Sequence, residues 1–182
     1  MKEKKEDGEF NIAIIVPQMV TFSAICFSLT SIKCAIAGNF SLAAMFIILA
    51  AFIDGIDGRV ARLLNASSEF GVQMDSLADF FNFGIAPGFI MYFWQMHNLD
   101  SFGRIGWVAV LLLAICMAIR LARFNVDTAT EDKDSPLVKY FFKGIPAPAA
   151  GLLVLFPLIA TIEFGACFYS SPVFVTINTM II

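Results

Sequence analysis

The chain has 182 residues, 59% of them hydrophobic and 15% charged, with a formal net charge of −3 and a mean hydropathy of +0.80. Soluble domains carry about 25% charged residues, so this composition excludes an ordinary soluble domain and points to an all-α, polytopic integral membrane protein forming a single domain over 1–182. No basic tract offers a surface for nucleic acid, and a lone histidine with four scattered cysteines (Cys26, Cys34, Cys116, Cys167) argues against a zinc site or a histidine-based triad.

A bilayer core about 30 Å thick takes about 20 mostly apolar residues as a helix, and about six such segments follow in chain order. The first is 12–31, preceded by a short polar stretch, 1–11, with Lys2, Lys4 and Lys5. It lacks a clean small-residue cleavage site and more spans follow, so it reads as a retained helix rather than a signal peptide. The second, 40–62, is apolar at its start and polar at its end, and the third, 71–94, begins polar. The fourth is 103–124 and the fifth 144–162, where Pro146 and Pro148 suit a helix start. The sixth runs from 172 to 182 and is still apolar there, which reads as an incomplete last helix. Trp94 and Trp107 flank one loop as an interfacial belt, and Gly84 and Gly88, four apart, suit close helix contacts or a dimer face.

Placing 1–11 in the cytoplasm puts ten of the twelve Lys and Arg residues inside, leaving Lys33 and Arg104 outside. The positive-inside rule supports that orientation. The expectation is a protein of the cell (inner) membrane with its polar helix ends, 54–79, on the cytoplasmic side.

Those polar ends carry the chemistry. Asp54, Asp57 and Ala61 are spaced three and four apart and share a helix face, with Gly58 and Arg62 in a neighbouring row. On the next helix Gly71, Asp75 and Asp79 are four apart and again share a face. Ionisable groups within spans are costly and mark function. Four carboxylates converging from antiparallel helices call for hard cations with oxygen ligands, and two divalent ions would neutralise them. Paired metals about 3.5–4 Å apart are a recurrent device for in-line displacement at phosphorus. Gly58 and Ala61 leave the helix surface bare for a bulky ligand, and Arg62 offers a guanidinium fork to a phosphate. "DGIDG" is not an EF-hand loop, because Gly55 and Ile56 break the alternation of oxygen residues.

The eight fixed positions Asp54, Asp57, Gly58, Ala61, Arg62, Gly71, Asp75 and Asp79 match D-x-x-D-G-x-x-A-R-x8-G-x-x-x-D-x-x-x-D without a gap error. The pattern resembles the signature of the CDP-alcohol phosphotransferase family. The resemblance implies a six-helix membrane core, a homodimer, and two divalent cations, Mg²⁺ or Mn²⁺, held by Asp54, Asp57, Asp75 and Asp79. It implies a CDP-lipid against Asp57, Gly58, Ala61, Arg62 and Gly71, with Asp79 as general base on the acceptor alcohol. "RLARFN" (120–125) and "FKGIPAPAAG" (142–151) are similar to the branch of that family that takes CDP-diacylglycerol as donor and L-serine as acceptor. Arg120, Arg123, Asn125 and Lys143 are then candidates for binding the acceptor or a phosphate. Another alcohol, such as glycerol 3-phosphate or an inositol phosphate, is the alternative within the family. A cation transporter is the distant one, disfavoured because Arg62 would obstruct a cation path.

Overall fold

The computed structural model describes residues 12–63, 69–96, 102–130, 146–164 and 178–179, and among them there is helix and turn but no strand. The helices are α1 (Ile12–Ile36), α2 (Phe40–Leu63), α3 (Glu69–Asp79), α4 (Ala86–Met91), α5 (Phe102–Thr130) and α6 (Ala147–Phe164). Two are long and apolar enough to cross a membrane, over Gln18–Ile36 and Arg104–Val126, and shorter apolar stretches cover Phe40–Ile56 and Ala147–Glu163.

Helix α1 runs five residues past the expected end at Ser31. Ile32, Cys34, Ala35 and Ile36 continue its apolar character, and nothing stops it before Gly38. Gly38 takes φ +80°, the left-handed conformation that glycine adopts without steric cost. Its N–H donates to Ala35 O at 3.0 Å while the Asn39 N–H reaches Cys34 O at 2.9 Å, the paired bonds of a Schellman cap. Asn39 also opens α2, its carbonyl accepting from the Ala43 N–H. One tight turn therefore folds α1 and α2 into an antiparallel hairpin. The seam is a stripe in three- and four-residue steps: Thr21, Ala24, Ser28, Ser31 and Ala35 on α1, with Ala43, Ile47 and Ala50 on α2, all buried. Small side chains let the backbones approach, and Ser31 Oγ donates across the seam to Ala43 O. On the far side of α2, Met45, Ile48, Phe52 and Ile56 are exposed.

The third predicted span forms as one continuous rod from Glu69 to Met96, but not as a uniform α-helix. π-helical segments at Phe80–Ile85 and Tyr92–Met96 flank α4. The first widening leads directly into Pro87, which has no N–H to give the carbonyl one turn back. The looser i→i+5 pattern, seen in the Ala86 N–H bond to Phe81 O, absorbs that loss.

This rod is the hub of the bundle. Its Ala86, Ile90 and Met91 join Ala43, Ala44 and Ile47 of α2, Leu113 of α5 and Val154, Leu155 and Leu158 of α6 in one core. Gly84 and Gly88 meet Met117 and Val110 of α5, so this glycine pair is a contact within the chain. Gly151 of α6 admits Phe83 in the same way. At the α6 start, Pro146 O accepts from the Ala150 N–H, as suits a proline entrance. Pro157 deprives Leu153 O of its helical donor, and Asn178 Nδ2 supplies one at 3.1 Å. Beyond Asn178 and Thr179, the expected sixth span lies outside the described residues.

Candidate active site at the polar ends of two helices

The buried stripe of α2 at Ala43, Ile47 and Ala50 advances in steps of four and three, and the same count lands on Asp54, Asp57 and Ala61. Asp54 is half-buried, with Oδ1 withdrawn from solvent. The backbone of α2 continues helically through Leu63. The side chains of Asp57, Gly58, Ala61 and Arg62 lie outside the described residues.

On α3, Gly71, Asp75 and Asp79 follow one helical row as expected. Asp75 is exposed and Asp79 half-buried, with its Oδ1 also withdrawn from solvent; Ala78 beside it is fully buried. Among the described residues no three acidic, histidine or cysteine side chains converge. The set read from the motif includes Asp57, which is outside that description. The oxygen-only donor set nevertheless fits a hard divalent cation. Asp54 and Asp79 each keep one carboxylate oxygen out of solvent, a setting in which a bound cation would offset the charge.

Helix α5 extends six residues beyond the expected end, to Thr130, and this carries Asn125 on a helix against α3. Its amide meets Ser76 Oγ at 3.1 Å, immediately after Asp75. Ser76 was not picked out by the sequence, since nothing in its spacing separates it from any other serine. Arg120 is half-buried: Nη1 donates to Met117 Sδ at 3.6 Å, and Nε is buried with no acceptor among the described residues. Because Met117 lies against Gly84, Arg120 stands one α5 turn from it, toward the aspartate end of the rod. Arg123 is exposed. Lys143 lies outside the described residues. The structure thus turns Arg120 and Asn125 inward.

A second residue the sequence reading passed over is Asn82, three residues past Asp79 on the same rod. It is fully buried, and neither Oδ1 nor Nδ2 has a hydrogen-bond partner among the described residues. A buried amide left so costs about 1–3 kcal/mol for each unsatisfied group. The signal was available as a lone polar residue inside "FFNFGIAP".

Comparison with known sequences gives the family. The CDP-alcohol phosphatidyltransferase family signature matches residues 14–180. A CDP-diacylglycerol–serine O-phosphatidyltransferase of Mycobacterium leprae is 42% identical over 164 residues, covering 90% of this chain and 53% of its own length. The protein of that name from Helicobacter pylori is 44% identical over 145 residues, 80% of this chain and 57% of its own. The one from Bacillus subtilis is 34% identical over 140 residues, 77% and 73%. The chain spans about half the length of the mycobacterial relative. An eight-position aspartate motif at the polar ends of two consecutive helices, inside a signature match over nearly the whole sequence, leaves one assignment: the chain belongs to the CDP-alcohol phosphatidyltransferase family.

Proposed function

We propose that this protein transfers the phosphatidyl group of CDP-diacylglycerol to the hydroxyl of L-serine, releasing CMP. The observation that carries the reading is the unbroken motif from Asp54 to Asp79, in a stretch where serine-transferring relatives are 34–44% identical. It works in a membrane of six spans, as a homodimer, with the aspartate ends of α2 and α3 facing the cytoplasm. The many exposed large apolar side chains along α1, α2 and α5 suit lipid contact.

Asp54, Asp57, Asp75 and Asp79 would hold two divalent cations, Mg²⁺ or Mn²⁺, which when bound neutralise the pyrophosphate and the departing phosphate. The remaining work falls to the chain. Asp79 accepts the proton of the serine hydroxyl as its oxygen attacks the phosphorus bearing the diacylglycerol. The bond from that phosphorus to the CMP oxygen breaks, and its electron pair leaves with CMP. Gly58 and Ala61 admit the nucleotide to the α2 surface, and Arg62 pairs with a phosphate oxygen. Arg120 supplies a second guanidinium, half-buried and without a carboxylate partner among the described residues, suited to an anionic group of either substrate. Asn125 fixes α5 to α3 beside Asp75 through Ser76.

The test is CMP release from CDP-diacylglycerol by the detergent-solubilised protein, with Mg²⁺ or Mn²⁺ and with chelator, offering serine, glycerol 3-phosphate and inositol phosphate in turn. Serine-dependent, chelator-sensitive release is expected. Release driven by glycerol 3-phosphate and indifferent to serine overturns the acceptor. Release unaffected by chelation overturns the metal assignment.

A further inference from the structure

The buried amide of Asn82 has a direction. On the segment Phe80–Ile85, Phe83 packs on Gly151 of α6 and Gly84 on Met117 of α5. The segment is π-helical, so each residue turns by somewhat less than the α-helical step of about 100°, and Asn82 projects away from α5 and to the side of α6. That leaves the flank where α1 and α2 also touch this segment. Asn82 follows Asp79 by three residues on the same continuous rod, within about one helical turn of it.

We infer that Asn82 selects the acceptor: its carbonyl accepts from the ammonium and its N–H donates to the carboxylate of a small amino alcohol whose hydroxyl lies at Asp79. This rests on the phosphatidyltransferase reading and deepens it. A hydroxyl and an amino group on adjacent carbons match the one-turn separation of Asp79 and Asn82. An amide presents donors and an acceptor together, as a zwitterion requires. A phosphorylated alcohol would bring a dianion to a neutral, fully buried amide, which disfavours it.

The test compares wild-type protein with Asn82→Leu, using the full chain in detergent with CDP-diacylglycerol and Mg²⁺. Asn82→Leu is expected to raise the serine KM about 10- to 100-fold and to leave the CDP-diacylglycerol KM within about twofold. The thermal shift induced by serine is lost, while that induced by CDP-diacylglycerol with Mg²⁺ remains. The unliganded Tm does not fall, because an unsatisfied buried amide has been replaced by an apolar group. Should Asn82→Leu fail to fold, Asn82→Ser carries the same comparison, with a serine KM at least about fivefold raised. An unchanged serine KM in a folded variant, as a buried water at Asn82 would give, overturns the inference, and so does an equal rise for both substrates. Wild-type protein with no serine-dependent release fails the phosphatidylserine reading by itself. The alcohol that does drive release then replaces serine in the comparison, and an unchanged KM for it overturns the role of Asn82.

Discussion

Replacing Gly151 with alanine tests whether α6 positions the rod that carries Asp75 and Asp79. A Cβ at Gly151 would stand 3.0 Å from both Cβ and Cδ1 of Phe83 and 3.1 Å from its Cα. Carbon contacts relax at about 3.5–4.0 Å, so the two helices must separate by about 0.5–1 Å. The ring cannot simply turn aside: Phe83 is fully buried against Met117, Ala147 and Ala150, with Phe80 and Leu121 around it. One of the three close atoms is backbone, which has no rotamer to yield. Overpacking of this kind costs about 1–3 kcal/mol, and at about 2–4 °C per kcal/mol for a chain this long the Tm falls by about 2–12 °C. Thermal unfolding in detergent, followed by tryptophan fluorescence, measures it. Adding Phe83→Leu should restore part of the loss, because the shorter side chain vacates the space, so the double variant is less destabilised than the two singles summed. A Tm within about 1 °C of wild type for Gly151→Ala would refute the close packing of α6 on the rod.

Three further outcomes follow from the site. Asp79→Asn should lower kcat by about 10²–10⁴-fold with the CDP-diacylglycerol KM nearly kept; wild-type turnover would remove Asp79 from the role of base. Ser76→Ala and Asn125→Ala should each cost about 0.5–1.5 kcal/mol of stability, and a double-mutant cycle should show them coupled. Strict additivity, within about 0.3 kcal/mol, would mean that the α3–α5 hydrogen bond contributes nothing. Arg120→Ala should raise the KM of serine or of CDP-diacylglycerol at least about tenfold, and Arg123→Ala, at an exposed position, by less. The reverse order would place the working guanidinium at Arg123.

Much of this was legible along the chain, because it depends on local order. The apolar runs set where helices form, with ends wrong by five residues at α1 and six at α5 where no stop signal intervened. Three- and four-residue spacing put Asp54, Asp57, Asp75 and Asp79 on defined faces, since helical phase is a property of the backbone alone. Contacts between distant segments were not legible. The meeting of Ser76 with Asn125 spans 49 positions, and that of Asn178 with Leu153 spans 25. Neither leaves a period or a motif. The glycine pair at 84 and 88 announced a close approach without naming its partner, and packing chose α5 of the same chain. Arg120 and Arg123 look alike as basic residues at a helix end; burial separates them, and burial depends on what packs against each face. Asn82 shows the division most sharply. Its identity was in the sequence, but a polar side chain asks for a partner only once the fold has taken away the water, and only the tertiary structure could do that.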